Sequence, residues 1–173
     1  MVALLFDPST TVLLDALRVE AGETRLERIP PHVTSVAPFD VTDAGTGAAA
    51  AAVAEVAAGV PPLPLVLGPA ATFAPRTPTV HLAVEGADGE ATIALHRLPA
   101  ALHAAGLGRP ERRPYVPHVT LRNRVRADRL AGAVARLRGF EHRCEVGTMA
   151  LLRRSPDAGA TWSVVAESTL GHG

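Results

Sequence analysis

The sequence predicts an α+β protein of two pseudo-symmetric lobes, each a small, mainly antiparallel sheet with helices on its outer face. Three observations carry that expectation. Short apolar runs of strand length alternate with longer stretches whose leucines and valines recur at helical spacing. The element order of the first half, with helix, strand, helix and strand pair, recurs in the second. The tetrapeptide Pro-His-Val-Thr occurs at Pro31–Thr34 and again at Pro117–Thr120, at equivalent places in the two halves, with the second histidine 86 residues after the first.

Taken in order, Val2 to Phe6 is a short apolar run and reads as a buried strand. Pro8-Ser9-Thr10-Thr11 supplies residues favoured at helix starts; Leu13, Leu14 and Leu17 follow at helical spacing, and Gly22 ends the helix. Leu26 to Pro31 is a charged connection. Pro31 to Phe39 reads as a strand, with His32 and Thr34 on one face and Val33 and Ser35 on the other. Thr42 or Asp43 caps an alanine-rich helix to about Ala58, which Gly59-Val60-Pro61-Pro62 breaks. Leu63 to Leu67 is a strand, Phe73 to Pro78 a loop, and Thr79 to Val84 another strand. After a turn at Gly86–Gly89, Ala91 to Ala105 is a helix with Leu95, Leu98 and Leu102 on one side; Pro99 predicts a kink or a later start. Pro117 to Arg124 is the second motif strand, and Leu130, Val134 and Leu137 mark a helix over Ala127–Leu137. Cys144 to Leu152 and Trp162 to Glu167 are the last strands, joined as a hairpin through Ser155-Pro156-Asp157-Ala158-Gly159. One bilobal domain is expected to span residues 1–173.

The composition is globular, at 47% apolar and 20% charged residues. No apolar run reaches the roughly 18–20 residues of a membrane span. The N-terminal run lacks a preceding basic region and meets Asp7 within a few residues, so no signal peptide is expected and a cytoplasmic location is. The single cysteine, Cys144, excludes an internal disulfide and a cysteine-rich zinc site. Seventeen basic residues balance seventeen acidic ones, and all the basic ones are arginine. Without lysine there is no Schiff base, no Walker-type lysine and no adenylated-lysine intermediate. The charge is uneven: Arg109, Arg112, Arg113, Arg122, Arg124, Arg126 and Arg129 lie within 21 residues, accompanied only by Glu111 and Asp128. This positive field brackets the second motif and suits an anionic substrate.

One His-x-Thr carries little weight. Two, each after proline in a strand, offer two imidazoles and two hydroxyls to one small volume. Histidine titrates near neutrality, so one ring can hold a proton while the other lacks it. Opening a 2′,3′-cyclic phosphate needs a base for water and an acid for the leaving oxygen on opposite sides of phosphorus. Hydroxyls can donate to the non-bridging oxygens. His32, Thr34, His118 and Thr120 are therefore the candidate catalytic residues. No acid lies in the strand beside either histidine, and threonine ligates transition metals poorly, so neither metal nor cofactor is expected. Alternation puts Arg122 and Arg124 on the His118 face, where either could hold phosphate. Tyr115 and Phe39 flank the motifs, placed to stack on a base or to pack in the core. His81 reads as an ordinary strand histidine, and His96 and His103, seven apart in a helix, as surface residues. His142 and His172 have no supporting context, and Cys144 reads as a buried strand residue.

The paired motifs and their separation are matched by two further stretches. These are Phe73-Ala74-Pro75-Arg76 ahead of Val80–Val84, and the final hairpin from Leu151-Leu152-Arg153-Arg154-Ser155 to Trp162-Ser163-Val164-Val165. Together they resemble the 2H phosphoesterase superfamily, and within it the LigT-like group of 2′-5′ RNA ligases and RNA 2′,3′-cyclic phosphodiesterases. The resemblance implies His32 and His118 as acid–base pair, Thr34 and Thr120 as phosphate ligands, Arg76 at the substrate, and no metal. It also implies a monomer acting on RNA ends or cyclic nucleotides, by hydrolysis or by ATP-independent 2′-5′ joining. Two departures stand out. Ser35-Val36-Ala37-Pro38-Phe39 follows the first motif, and Asn123 stands where the family often has arginine. The alternative is a module that binds RNA ends or nucleotides without turnover.

Overall fold

The computed structural model describes residues 1–156 and 161–171. Its strands are β1 (Val2–Leu5), β2 (His32–Val36), β3 (Leu63–Phe73), β4 (Thr77–Gly86), β5 (His118–Arg122), β6 (His142–Val146), β7 (Thr148–Arg154) and β8 (Trp162–Thr169). The helices are α1 (Pro8–Glu20), α2 (Thr46–Ala58), α3 (Gly89–Ala104) and α4 (Ala127–Arg136). No described helix is long and apolar enough to cross a membrane.

All eight strands join one antiparallel sheet in the order β6-β3-β4-β5-β2-β1-β7-β8. A pseudo-dyad lies between β5 and β2, so β2-β1-β7-β8 forms one lobe and β5-β4-β3-β6 the other. The two-lobed α+β expectation holds, with an exchange of strands: β3 from the first half sits in the lobe of the second motif, and β7 and β8 complete the lobe of the first.

The run expected as one strand over Cys144–Leu152 is two. Val146 ends β6 beside Leu63, and Thr148 begins β7 beside Leu5. Six strand spacings, about 29 Å in a flat sheet, separate β6 from β7. Gly147 alone connects them, and its two flanking Cα atoms can be no more than about 8 Å apart. The sheet must therefore curl until its far ends meet.

Local chemistry sets the helix starts. Asp7, rather than the Ser and Thr residues after it, caps α1, accepting from the Ser9 and Thr10 amides at 2.8 and 3.0 Å. Asp88 caps α3 through the Ala91 amide at 2.8 Å, and the helix carries Pro99 within it, so the later start does not apply. Thr42 caps a short 3₁₀ turn at Asp43–Gly45, after which α2 begins. β3 runs on to Phe73, leaving only three residues before β4. Of the expected final turn, Asp157–Gly159 lie outside the described residues, as does His172; on either side of the turn the Ser155 amide donates to the Thr161 carbonyl at 2.8 Å.

Alternation divides the sheet's faces. Val33, Val119, Leu4, Leu65 and Leu82 bury one face against Leu14, Leu17, Leu95, Leu102 and Leu130 of the helices. The other face carries a smaller cluster of Met1, Ala3, Leu5, Ala150 and Leu152. Leu5 pairs with His32 and Ala3 with Thr34, so this second face is also the motif face.

Candidate active site

The lobes meet at one ladder pair, Val33 with Val119. Antiparallel register then sets Thr120 opposite His32 and His118 opposite Thr34. All four side chains share a face, with the two histidines on a diagonal about 7–8 Å apart at Cα. The imidazoles are held alike. His32 Nδ1 lies 2.8 Å from the Pro30 carbonyl, and His118 Nδ1 lies 2.8 Å from the Val116 carbonyl. A carbonyl only accepts, so Nδ1 carries the proton and Nε2 is left for chemistry. Each accepting carbonyl precedes the motif's proline, whose fixed φ helps to set its direction. The Thr34 hydroxyl has only the Met1 sulfur, at 3.8 Å, as a partner, and Thr120 makes no side-chain hydrogen bond among the described residues. Both hydroxyls are free to turn to a ligand.

Burial pushes the pKa of His32 below its ordinary value. The Pro30 carbonyl opposes this, and the charges of His118 and Arg18 add to it. His32 is thus held neutral. Arg18 is 5% exposed and bonds Asp15 at 2.7 Å and the Ile29 carbonyl at 3.1 Å. The sequence carries a signal for it that the motifs do not: Arg18 continues the buried stripe Thr10, Leu14, Leu17, a costly place for a charge without a task.

Two hollows open from the motifs and meet at Thr34. That on the His118 side measures about 630 Å³ and is walled by Phe73, Pro99, Pro114, Tyr115 and Val116, with Arg76 at its border. That on the His32 side measures about 270 Å³ and is lined by Arg18, Arg25, Arg28, Thr120 and Trp162. Arg28 Nε is buried there with no partner among the described residues, a cation lacking its anion.

A third imidazole lies beside His118. His81 pairs across to Thr120, so it shares the motif face, but the Phe73 ring stacks on it at 4.0 Å. Phe73 also meets His118 edge-on at 4.9 Å, and His81 and His118 are 5.4 Å apart. Burial, with the charge of His118 second, holds His81 at a pKa of about 4. His96 and His103, expected on the surface, line the larger hollow; His96 meets the Tyr115 ring at 5.9 Å. Burial pushes the Tyr115 phenol up to about 12, partly offset by the Ser35 hydroxyl. Cys144 is half-buried in β6, its thiol pushed up to about 11 by burial and then by the charge of Asp7.

Three expected substrate residues lie elsewhere. Phe39 packs against the core beside Gly108, because β2 ends at Val36 and alternation stops there. Arg122 lies over Gly22, and Arg124, at φ 54°, leaves the extended region once β5 has ended, so neither stays on the His118 face. Both line a separate groove against α4.

A curled antiparallel sheet with a His-x-Thr strand on either side of its dyad defines the 2H phosphoesterase fold. The chain belongs to the 2′-5′ RNA ligase superfamily, whose family model matches residues 6–158. It is 30% identical over 145 residues to "Putative phosphoesterase BH1439" of Halalkalibacterium halodurans, covering 83% of this chain and 81% of that protein. Among solved structures, TT0787 of Thermus thermophilus superposes with a TM-score of 0.72 at 19% identity, over 98% of this chain and 96% of that one. E. coli LigT, solved with 3′-AMP, superposes with a TM-score of 0.62 at 17% identity, over 98% and 95%. At these identities the two structures establish the fold.

Proposed function

We propose that the protein is a metal-independent phosphodiesterase that hydrolyses 2′,3′-cyclic phosphates of RNA ends or small nucleotides. The observation that carries this reading is the diagonal pair of imidazoles, each with Nδ1 tied to a carbonyl and Nε2 free. His32, held neutral beneath the arginine-lined hollow, is the base. It takes a proton from water as the water oxygen bonds to phosphorus. His118, beside the hollow large enough for a nucleoside, is the acid. It gives its proton to the ribose oxygen as the bond from that oxygen to phosphorus breaks. A phosphomonoester and a free hydroxyl result, and exchange with solvent resets both rings. Thr34 and Thr120 donate to the non-bridging oxygens, and Arg28 supplies the counter-charge. With the hydroxyl of a second strand in place of water, the same forward steps open the cyclic end onto that hydroxyl and join the two strands without ATP. The nucleotide complex of LigT supports a nucleotide substrate.

The test is phosphomonoester release from an RNA ending in a 2′,3′-cyclic phosphate, in EDTA. His32→Ala and His118→Ala should each lower kcat by about 10²–10⁴. Activity abolished by EDTA, or kept by either variant, refutes the mechanism. A bound cyclic end that wild type never opens would instead mark a binding module.

A further inference from the structure

The groove that takes Arg122 and Arg124 gathers charge out of proportion to the chain. It lies between the end of α1 and helix α4 and measures about 580 Å³. Five arginines line it, at 122, 124, 126, 129 and 136, against the acids Glu20 and Asp128. Asp128 is already engaged by Arg126, at 3.1 and 3.3 Å. The other four arginines make no hydrogen bond or ion pair among the described residues. The whole chain is neutral, so this concentration is local. The charge of Arg122 also acts on the Glu23 carboxyl, and the guanidinium groups that remain create a positive potential that attracts a polyanion.

Gly22, at φ +89° a position that favours glycine, lies against the Arg122 guanidinium at the groove's edge. Arg129 and Arg136 are seven residues apart in α4 and share its groove-facing side. The groove also neighbours the active site, on the other side of the end of β5 from the arginine-bearing hollow. Leu121 and Asn123 line the arginine-bearing hollow beside His32, while Arg122 and Arg124 line the groove. On the facing segment, Glu23 and Arg25 line the hollow while Glu20 and Gly22 line the groove. Arg122 and Arg124 follow Thr120 by at most about 7 and 13 Å of extended chain.

We propose that this groove binds internucleotide phosphates of a single RNA strand whose terminal phosphate sits between His32 and His118, so that an oligonucleotide is the preferred substrate. This rests on the phosphodiesterase reading above. A mononucleotide held at Thr120 stops short of Arg129 and Arg136, whereas a strand reaches them. An acidic peptide would match the charge but has no phosphate end to place at the motifs.

The test compares 2′,3′-cyclic CMP with an RNA hexamer carrying the same cyclic end, in wild type and in the exposed double variant Arg129→Gln/Arg136→Gln. Binding of a 3′-phosphorylated hexamer is read in parallel by fluorescence anisotropy, between about 50 and 200 mM salt. Each arginine that neutralises a phosphate on a single strand contributes about −0.7 to the slope of log affinity against log salt. Four such arginines give a slope of about −3, and the double variant should flatten it by about 1.4. Wild type should favour the hexamer over the cyclic mononucleotide in KM, and the double variant should bring that ratio towards one. An unchanged hexamer Kd and salt slope in the double variant overturns the proposal, as does polyglutamate binding as tightly as RNA. Hexamer binding that depends on both arginines, without turnover of either substrate, would refute the phosphodiesterase reading while upholding the groove.

Discussion

Replacing His81 with phenylalanine separates what a ring does at that position from what a buried nitrogen does. His81 is 3% exposed, stacks on Phe73 at 4.0 Å, and leaves Nδ1 without a partner among the described residues. A buried polar group in that state costs about 1–3 kcal/mol. Phenylalanine keeps the stacking and removes the nitrogen. Burial, then the charge of His118, lowers the His81 pKa from 6.5 to about 4. Between those values the unfolded chain binds the proton and the folded one does not, so stability is full above pH 6.5 and falls as pH drops to about 4. At 1.36 kcal/mol per unit, the loss amounts to roughly 3 kcal/mol. His81→Phe should thus exceed wild type by about 1 kcal/mol at neutral pH, and by roughly 4 kcal/mol near pH 4. Urea unfolding at a series of pH values reads both figures, with the m-value as a check on the denatured state. Parallel pH dependence in the two proteins would show that His81 does not titrate as its burial requires. A variant less stable than wild type at neutral pH would show that Nδ1 is satisfied.

Two further predictions concern the scaffold. Asp7→Ala removes the acceptor of the Ser9 and Thr10 amides and hydroxyls, and should cost about 1–2 kcal/mol in thermal or urea unfolding. The same bonds, those from the Ser9 and Thr10 hydroxyls foremost, hold the Asp7 carboxyl well below the usual carboxylate range. Its cap should therefore persist at pH 4 and fade only at more acid pH, and a variant whose deficit vanishes by pH 5 would contradict this. Leu82→Ala, at a site with 0% exposure in the central strand β4, should cost about 2–5 kcal/mol; a loss under 1 kcal/mol would mean that the core collapses around the gap.

The motif strands were legible because alternation needs only local spacing, and that alone put His32, Thr34, His118 and Thr120 on one surface. Alternation failed where a strand ended early. Nothing in the side chains of Phe39 or Arg124 announces that β2 stops at Val36 or that the backbone turns left-handed beyond Arg122. The split at Gly147 was hidden for a different reason. Both flanking segments are strand-like, and only the closure of a curled sheet sends them to opposite lobes. His81 reads from the sequence as an ordinary strand histidine, because its own strand does not announce the rings it meets. What covers it is Phe73, which reaches back across a turn that spacing does not locate.

The single-residue passage at Gly147 bears on how the enzyme is made. The lobe that holds His32 lacks half its strands until β7 and β8 have been synthesised, and the amine of Met1 finds its acceptor only at the Leu152 carbonyl, at 3.2 Å. Nascent chain leaving a ribosome therefore carries the first imidazole unsupported for most of translation, while contacts this distant in sequence close slowly. The strands of the His118 lobe form one continuous stretch, Leu63 to Val146, whereas those of the His32 lobe come from both ends of the chain. A chain interrupted before β7 lacks the two strands that complete the lobe of His32, although His32 is encoded near the start.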